Sequence, residues 1–438
     1  MDRHKTTSSG PADSADGLEL VIERLGAQGD GVGESAGDRG PVFVPFALPG
    51  ERVRARVGAA TGSGARGVLL EVLQASPDRI APVCGHFTHC GGCTLQHVAG
   101  HAYAAWKRSL VVEAFAQRGI SAQVAPLVAT GAQSRRRAVM SALSTRTGVV
   151  MGFHGTRDDK VIDVAECPVL EARIVAALPG IRAILGVLPR WEGEARVAII
   201  AADNGLDVAV AGAIDKRGLD APSSARIARE AAQLSSLVRL SIDGAPIYLR
   251  AQPTLAMGGA DVSVPAGSFL QASAAAERAM AEAVVAALPK KAKNAVDLFC
   301  GVGAFTFPLA ARVGVLALDS DQPALAALDR ATRGAKGLKP ISTRQRDLFR
   351  EPLSRKELEP FDLAVFDPPR AGAKAQAEML AKSKVPVIVA VSCNPATLAR
   401  DARILIDGGY EIGTVTPIDQ FTWSAHVEAV AVFQRSSR

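Results

Sequence analysis

The segment AVDLFCGVG at residues 295–303 is an apolar run that leads into two closely spaced glycines. The apolar run predicts a buried strand, and the glycines predict a tight turn into a helix that begins near Phe305. Such a turn lets the backbone pass close to a ligand and directs the free N–H groups of the helix at it. A Gly-x-Gly turn alone is a weak signal, because it joins strands to helices in many folds.

The sequence after this turn alternates between helical and strand-like segments up to residue 438. Apolar runs at residues 315–319, 361–367 and 385–392 predict parallel strands, and those at 409–419 and 427–433 predict an antiparallel end. We therefore predict that residues 268–438 form an α/β domain with a doubly wound sheet.

Three regions precede this domain. Residues 18–76 contain five short strand-like runs between glycine turns, which predict a small β-barrel of the oligonucleotide-binding (OB-like) type. A structural barrel without a ligand is the alternative. Residues 77–267 are predicted to be a central α+β domain, and the polar residues 1–17 are predicted to be a disordered tail.

Composition narrows the class of protein. The net charge of +6 favours a polyanionic partner without proving one. The N-terminal residues lack the apolar core of a secretory signal, and no apolar run approaches about 18 residues, so we expect a cytoplasmic protein without a membrane anchor. No segment indicates an obligate protein partner.

In a reducing compartment the six cysteines are metal ligands, nucleophiles or core residues rather than disulfides.

Acidic residues follow the predicted parallel strands. Asp319 ends the strand after Gly301, where a carboxylate can accept both hydroxyls of a ribose. Asp347 is expected after the third strand of the sheet and Asp367 at the end of the fourth, both at the same carboxyl edge. Because a third glycine is missing, an adenosyl group without pyrophosphate, as in S-adenosylmethionine, fits at least as well as a dinucleotide. A single aspartate in such a position is often only a helix cap.

Two further residues are candidates for catalysis. Cys393 directly follows the apolar run at 385–392 and precedes Asn394-Pro395, so it is expected to be exposed on a turn above the carboxyl edge of the sheet. A small core residue is the alternative interpretation. Glu428 opens the last strand, where an acidic side chain is usually just exposed to solvent.

The remaining cysteines form a pattern of metal-ligand type. Cys84, Cys90 and Cys93 have the spacing C-x5-C-x2-C, and Cys167 offers a fourth thiolate. Four thiolates suit zinc and an iron–sulfur cluster equally well, and the absence of any metal is a third interpretation. Nearby histidines at positions 86, 89 and 97 are interpreted as bystanders, and Cys300 as a small residue packed beside the glycine turn.

Four segments carry a family resemblance: DLFCGVGAFTFPLA at 297–310, DPPRAG at 367–372, SCNPATLARD at 392–401 and DQFTWSAHVEAV at 419–430. Together they resemble the bacterial RNA uracil-5-methyltransferases, and with the upstream segments the resemblance covers nearly the whole chain. The resemblance implies an N-terminal TRAM domain, which is a small β-barrel, then a central domain and a Rossmann-like methyltransferase domain.

The resemblance also implies the chemistry. Cys393 is the nucleophile that adds to C6 of uracil, and Glu428 is the base that removes the C5 proton. Asp367 contacts both cofactor and uracil. Ala304 replaces an asparagine common in the family, and Ser273 replaces another, which affects details of cofactor contact. The implied S-adenosylmethionine contacts are Gln271, Phe299, Ala304, Asp319, Asp347 and Asp367.

The motifs GGC at 91–93 and ECP at 166–168 belong to the same resemblance and imply a [4Fe-4S] cluster on Cys84, Cys90, Cys93 and Cys167, with zinc as the alternative. Since the chemistry consumes no electrons, the cluster is expected to be structural or to position RNA. The arginines at 135–137 are expected to contact phosphates, with a solvated basic run as the alternative.

The RNA substrate and the class of protein each have alternatives. Within the family, possession of both barrel and cluster indicates 23S rRNA, with tRNA as the alternative. An amino-methyltransferase would share Asp367-Pro368-Pro369 but would place an aromatic residue where this chain has Arg370. A catalytically silent RNA-binding protein is the alternative of another class.

Overall fold

A computed structural model describes residues 17–34, 40–62, 64–214 and 218–436. They form two compact units. The first contains the described residues up to 83, with 93–103 and 423–425, and the second contains 84–92, 104–422 and those from 426 onward. The predicted disordered tail lies, apart from Gly17, outside the described residues. No helix in these ranges is long and apolar enough to cross a membrane.

The first unit contains a closed barrel, as the glycine-separated strands predict. Its strands are β1 (Leu18–Leu25), β2 (Gly31–Glu34), β3 (Pro41–Val44), β4 (Arg52–Val57) and β5 (Ala65–Gln74). They are arranged in the order β1-β2-β3-β5-β4, and β1 pairs with β4 to close the barrel. Alternate residues such as Leu20 and Ile22 point into a core that Val53 and Ala55 share.

A buried carboxylate ties the end of the barrel to the chain that follows it. The side chain of Glu51 is fully buried and accepts the backbone N–H of Leu48 at 2.8 Å. The same carboxylate accepts a hydrogen bond from Arg79 Nη2 at 2.7 Å. Although burial raises the pKa of Glu51, these donors outweigh it and hold that pKa below its ordinary value.

The second unit contains a seven-stranded sheet in its first part. The strands are β7 (Arg137–Ser144), β8 (Val149–His154), β9 (Val161–Asp163), β10 (Glu194–Ala202), β11 (Gly205–Ala211), β12 (Leu237–Ile242) and β13 (Ala245–Leu249). Their order is β13-β12-β11-β10-β7-β8-β9. Helices α2 (Ala172–Gly186) and α3 (Ala221–Gln233) pack against the sheet through one apolar core. A hairpin of β14 (Thr254–Met257) and β15 (Ala260–Ser263) follows.

The second sheet of this unit has eight strands. They are β6 (Val128–Ala129), β16 (Asn294–Leu298), β17 (Gly314–Asp319), β18 (Ile341–Gln345), β19 (Leu363–Phe366), β20 (Val387–Ser392), β21 (Tyr410–Asp419) and β22 (Glu428–Arg435). The order is β18-β17-β16-β19-β20-β22-β21-β6, in which the first five strands are parallel and β22 is antiparallel to β20. This arrangement confirms the predicted parallel sheet with an antiparallel end.

Helices connect these strands, and the order of the strands creates a crevice. The helices are α4 (Ala274–Ala286), α5 (Thr306–Ala310), α6 (Gln322–Gly334), α7 (Arg355–Leu358), α8 (Lys374–Ala381) and α9 (Pro395–Asp407). The chain proceeds from β16 to β17 on one side and returns to β19 on the other. Open α/β sheets bind ligands at the carboxyl ends of strands where the order reverses in this way.

Residues from the predicted central domain also support this sheet. Val111 and Phe115, on helix α1 (Gly100–Ala116), are fully buried in the same apolar core as Leu298 of β16 and Phe366 of β19. Strand β6 pairs in parallel with β21 at the edge of the sheet. The eight-stranded sheet is therefore completed by a segment far upstream of residue 268.

Candidate active site

The turn after β16 has the conformation that its glycines allow. Gly301 and Gly303 have φ angles of 52° and 104°, and a Cβ atom on Gly303 would lie 2.7 Å from the ring of Phe307. Phe299 also has a positive φ, 65°, which is rare for a bulky residue and occurs where a site fixes the backbone. The turn therefore has a backbone conformation that depends on glycine at these two positions.

Two of the predicted acidic residues hold this edge through backbone contacts. Asp319, at the end of β17, accepts the N–H of Gly301 on Oδ2 and that of Asp321 on Oδ1, both at 2.8 Å. Asp347 accepts the N–H of Phe349 at 3.0 Å. Each carboxylate oxygen retains further acceptor capacity, so both side chains can still bind hydroxyl or amino groups of a ligand.

A second aromatic ring lies beside Phe299. The ring of Phe349 is 5.3 Å from that of Phe299, centroid to centroid, and Phe349 is 48% exposed. Two rings at this edge suit a planar group such as a base. Sequence reasoning missed Phe349, although its position two residues after Asp347 was a usable signal. Ala304, on the same turn, is half-buried and has no side-chain hydrogen-bonding group.

Four side chains, of which Asp367 is half-buried and the other three are buried, form a continuous network at the ends of β19, β21 and β22. Gln271 Nε2 donates to Asp367 Oδ2 at 2.7 Å, and Gln271 Oε1 accepts from Gln420 Nε2 at 2.9 Å. Gln420 Nε2 also donates to Glu428 Oε2. The predicted residues Gln271, Asp367 and Glu428 are thus joined, and Gln420, which sequence reasoning missed, joins them.

The network concentrates acidic groups away from water. Burial raises the pKa of Asp367 to about 7, and burial together with the charge of Asp367 raises that of Glu428 to about 8. Asp297, at the end of β16, is also buried, with its pKa raised to about 7. A cation bound beside Asp367 and Glu428 would favour the ionised form of both carboxylates, as a sulfonium ligand would.

Cys393 lies on the turn between β20 and α9, as the sequence predicts, and it is half-buried rather than exposed. Burial, with smaller contributions from the charges of Glu428 and Asp367, raises the pKa of its thiol to about 11, and Arg370 opposes this. The carbonyl of Arg370 accepts from Asn394 Nδ2 at 3.2 Å, so the two loops are joined beside the thiol.

Ser273 is the N-cap of helix α4, where its hydroxyl accepts the N–H of Ala276. Serine and asparagine are both good N-caps, so the departure from the family preserves the start of this helix.

The arginine run is only partly a surface feature. Arg136 is buried, pairs with Glu277 and donates from Nε to the carbonyl of Gln271 at 3.2 Å. Arg137 donates to the carbonyl of Ser268 at 3.1 Å. The expectation that all three arginines contact phosphates is wrong for Arg136, because alternation along the chain directs this side chain inward to brace Gln271.

Three of the four cysteines predicted to bind a metal belong to the second unit. Glu166, beside Cys167, accepts the N–H of Gly85 at 2.6 Å and so ties the segment of Cys84 to that of Cys167. Burial raises the thiol pKa values of Cys90 and Cys167, and the charge of Cys84 adds to both. In the part of the chain that the structure describes, no three His, Cys, Asp or Glu side chains are arranged to hold a metal ion.

The chemistry of these donors nevertheless suits a thiolate-bound metal group. Gly92 donates its N–H to Cys90 Sγ at 3.5 Å, a contact typical of cluster ligands. Thiolates that raise one another's pKa are stabilised by a bound cation. Cys93 belongs to the first unit, where the next two residues, Thr94 and Leu95, donate to the carbonyl of Trp423 at 2.8 and 3.1 Å.

Comparison with known proteins agrees with the family resemblance. A family model described as tRNA (Uracil-5-)-methyltransferase matches residues 260–436. A protein of Mesorhizobium japonicum, described as an uncharacterized RNA methyltransferase, is 47% identical over 96% of this chain and 98% of its own length. The 23S rRNA (uracil(1939)-C(5))-methyltransferase of Chromohalobacter salexigens is 33% identical over 97% of this chain and 90% of its own length.

A solved structure has the same fold. The tRNA (uracil-54, C5)-methyltransferase of Pyrococcus abyssi, in complex with S-adenosyl-L-homocysteine, matches with a TM-score of 0.74. The match covers 95% of this chain and 99% of that one at 24% sequence identity. This likeness confirms the predicted fold class.

Proposed function

Because the chain belongs to the RNA (uracil-C5)-methyltransferase family, we propose that it methylates C5 of a uridine in RNA through a covalent bond to Cys393. The observation that carries this proposal is electrostatic: the half-buried Cys393 thiol, on the turn after β20, is close enough to Glu428 and Asp367 for both charges to raise its pKa. This proximity supports the proposal that Cys393 is the nucleophile and Glu428 the base.

The proposed steps conserve electrons and protons. The Cys393 thiolate adds to C6 of the uracil, and the electron pair of the C5–C6 double bond makes C5 nucleophilic. S-adenosylmethionine would supply the methyl group that C5 accepts, and the electron pair of the broken S–CH3 bond would leave on S-adenosylhomocysteine. Glu428 then takes the proton from C5, the C5–C6 double bond forms again, and the C6–S pair leaves on Sγ of Cys393.

The environment of each group supports its role. A buried carboxyl with a pKa near 8 is a stronger base than an ordinary glutamate, which suits removal of a proton from carbon. The high pKa of Cys393 opposes thiolate formation, so positive charge from Arg370 and from a bound sulfonium is needed to offset it.

The cofactor is proposed to lie along the carboxyl edge of the sheet. Asp319 and Asp347 have acceptor capacity for the ribose and the base, and Phe299 provides an aromatic face. The Gln271 and Asp367 pair would meet the methionine portion and the uracil. Ala304 contributes shape rather than a hydrogen bond.

We propose 23S rRNA as the substrate and a cytoplasmic location. The relative from Chromohalobacter, aligned over nearly the whole chain, acts on 23S rRNA, and the barrel and cysteine motif agree with that subgroup. Transfer RNA is the second candidate, favoured by the description of the family model.

Mapping of 5-methyluridine in rRNA and tRNA from a strain lacking this protein tests the substrate. Loss of one 23S rRNA methylation, restored by the wild type and not by Cys393→Ala, is expected. Loss confined to tRNA would transfer the assignment to the second candidate.

We also propose that Cys84, Cys90, Cys93 and Cys167 hold a [4Fe-4S] cluster, which would link separate segments of the chain rather than take part in methyl transfer. Its support is the set of four thiols and the backbone contact to Cys90 Sγ. Anaerobically purified protein should contain about four irons per chain. A colourless protein with one zinc per chain would show that the four cysteines bind zinc instead of a cluster, and it would not affect the proposed methyltransferase activity.

A further inference from the structure

Gln420 joins Gln271 to Glu428 in this network and is 3% exposed. It follows the last residue of β21 and begins the loop that leads to Glu428. Its Oε1 accepts the backbone N–H of Ala272 at 2.9 Å, and its Nε2 donates to both Gln271 and Glu428. All the hydrogen bonds described for this buried amide are therefore made to residues that flank the site.

A single backbone group fixes the orientation of this network. A backbone N–H can only donate, so the Ala272 N–H requires the oxygen of Gln420 to face it. The NH₂ group of Gln420 must then face Gln271, whose oxygen accepts, and the NH₂ group of Gln271 must face Asp367. Reversing either amide would bring two donors or two acceptors together in a buried site, at a substantial cost.

A buried lysine bonds the residues on either side of Gln420. Lys107 Nζ donates to Asp419 Oδ1 at 2.8 Å, and both side chains are almost fully buried. The same ammonium group donates to the carbonyl of Phe421 at 3.2 Å and to that of His426. Lys107 thus fixes the residues immediately before and after Gln420.

We propose that Gln420 is a positioning residue for methyl transfer: it aims the NH₂ group of Gln271 at Asp367 and holds Oε2 of Glu428. Oε1 of Glu428 is then left to take the proton from C5. Because the NH₂ group of Gln420 donates to the ionised carboxylate, it also favours the form of Glu428 that can act as a base. This inference rests on the proposed function and adds a residue to it.

The test uses the full-length protein and a 23S rRNA fragment. Gln420→Met keeps the size of the side chain and removes its donors. Loss of one hydrogen bond to a charged group should slow release of the covalent protein–RNA adduct about tenfold or more. The adduct should accumulate on a denaturing gel, and the pH at which release is half-maximal should rise. The affinity for S-adenosylhomocysteine should change much less.

Gln376→Met is the matched control, because Gln376 is also buried and its hydrogen bonds among the described residues are to the backbone of Leu353, through its Oε1 at 2.8 Å and its Nε2 at 3.3 Å. This variant should lose stability and keep the wild-type release rate and pH profile. Should Gln420→Met not fold, Gln420→Glu carries the test. In that variant the carboxyl group can accept from the Ala272 N–H at every pH, but it can donate a hydrogen bond only when it is protonated. The rate at which the adduct is released should therefore fall as pH rises, which is opposite to the wild type.

A release rate and pH profile identical to wild type in a folded Gln420 variant would overturn the positioning role. The proposed function fails in a different way: wild-type protein and Cys393→Ala would then form equal amounts of adduct.

Discussion

The buried carboxylates make cofactor affinity depend on pH in a direction that the structure determines. In the free protein the pKa of Asp367 is raised to about 7, so this group is mostly protonated at about pH 6 and mostly ionised at about pH 8. S-adenosylmethionine carries a positive sulfonium, which binds best next to an ionised carboxylate. Its affinity should therefore be lost as pH falls through the pKa of the free group.

The size of this effect follows from the same pKa. If Asp367 must ionise for tight binding, the affinity tightens about tenfold between about pH 6 and pH 8. If Glu428, with a pKa raised to about 8, must ionise as well, the affinity tightens by a further factor of up to about fifty over the same pH range. S-adenosylhomocysteine has the same adenosyl and amino-acid groups with an uncharged sulfur, so its affinity should change far less.

Calorimetric titration of both ligands across this range measures the difference. Asp367→Asn is the control variant, because asparagine keeps an acceptor for Gln271 and has no proton to release. In this variant the Asp367 part of the pH dependence for S-adenosylmethionine should disappear. Equal pH dependence for the two ligands in the wild type would refute the view that the sulfonium binds beside these carboxylates.

Three further predictions concern separate parts of the molecule. Cys393→Ala should lose turnover yet keep cofactor and RNA affinity within about threefold, because only the covalent step is removed; turnover near the wild-type rate would exclude this nucleophile. Glu51→Gln should destabilise the protein by about 2–4 kcal/mol in urea unfolding, since it breaks a buried ion pair, and an unchanged midpoint would show that the pair contributes nothing. Three arginines are exposed on the barrel: Arg52, Arg56 and Arg66. Changing all three to glutamate should weaken RNA binding and lower the slope of log affinity against log salt concentration by about 0.7 per lost phosphate contact. Unchanged affinity would assign RNA binding to other surfaces.

The sequence was most informative about acidic and nucleophilic residues that lie at the ends of predicted strands. Asp319, Asp367 and Cys393 each end or follow an apolar run that predicts a parallel strand, and the carboxyl ends of such strands necessarily share one edge. Their proximity was therefore predictable without knowledge of side-chain contacts.

Residues brought together only by tertiary packing were not predictable. Gln420 lies in the loop between the antiparallel strands β21 and β22, and its partner Gln271 lies just before helix α4, far away in the sequence. Lys107 is a lysine on a helix far upstream, which no local pattern marks as buried. Arg136 was misjudged because three consecutive arginines resemble a solvated run until the direction of each side chain is known.

The central claim is tested most directly by trapping the covalent adduct. Glu428→Gln, incubated with S-adenosylmethionine and a 23S rRNA fragment, should form a protein–RNA complex that survives denaturation, because the proton at C5 cannot be removed. Digestion and mass spectrometry should then find a methylated uridine attached to the peptide that contains Cys393. An adduct on another residue, or none despite bound RNA and cofactor, would contradict the proposed mechanism.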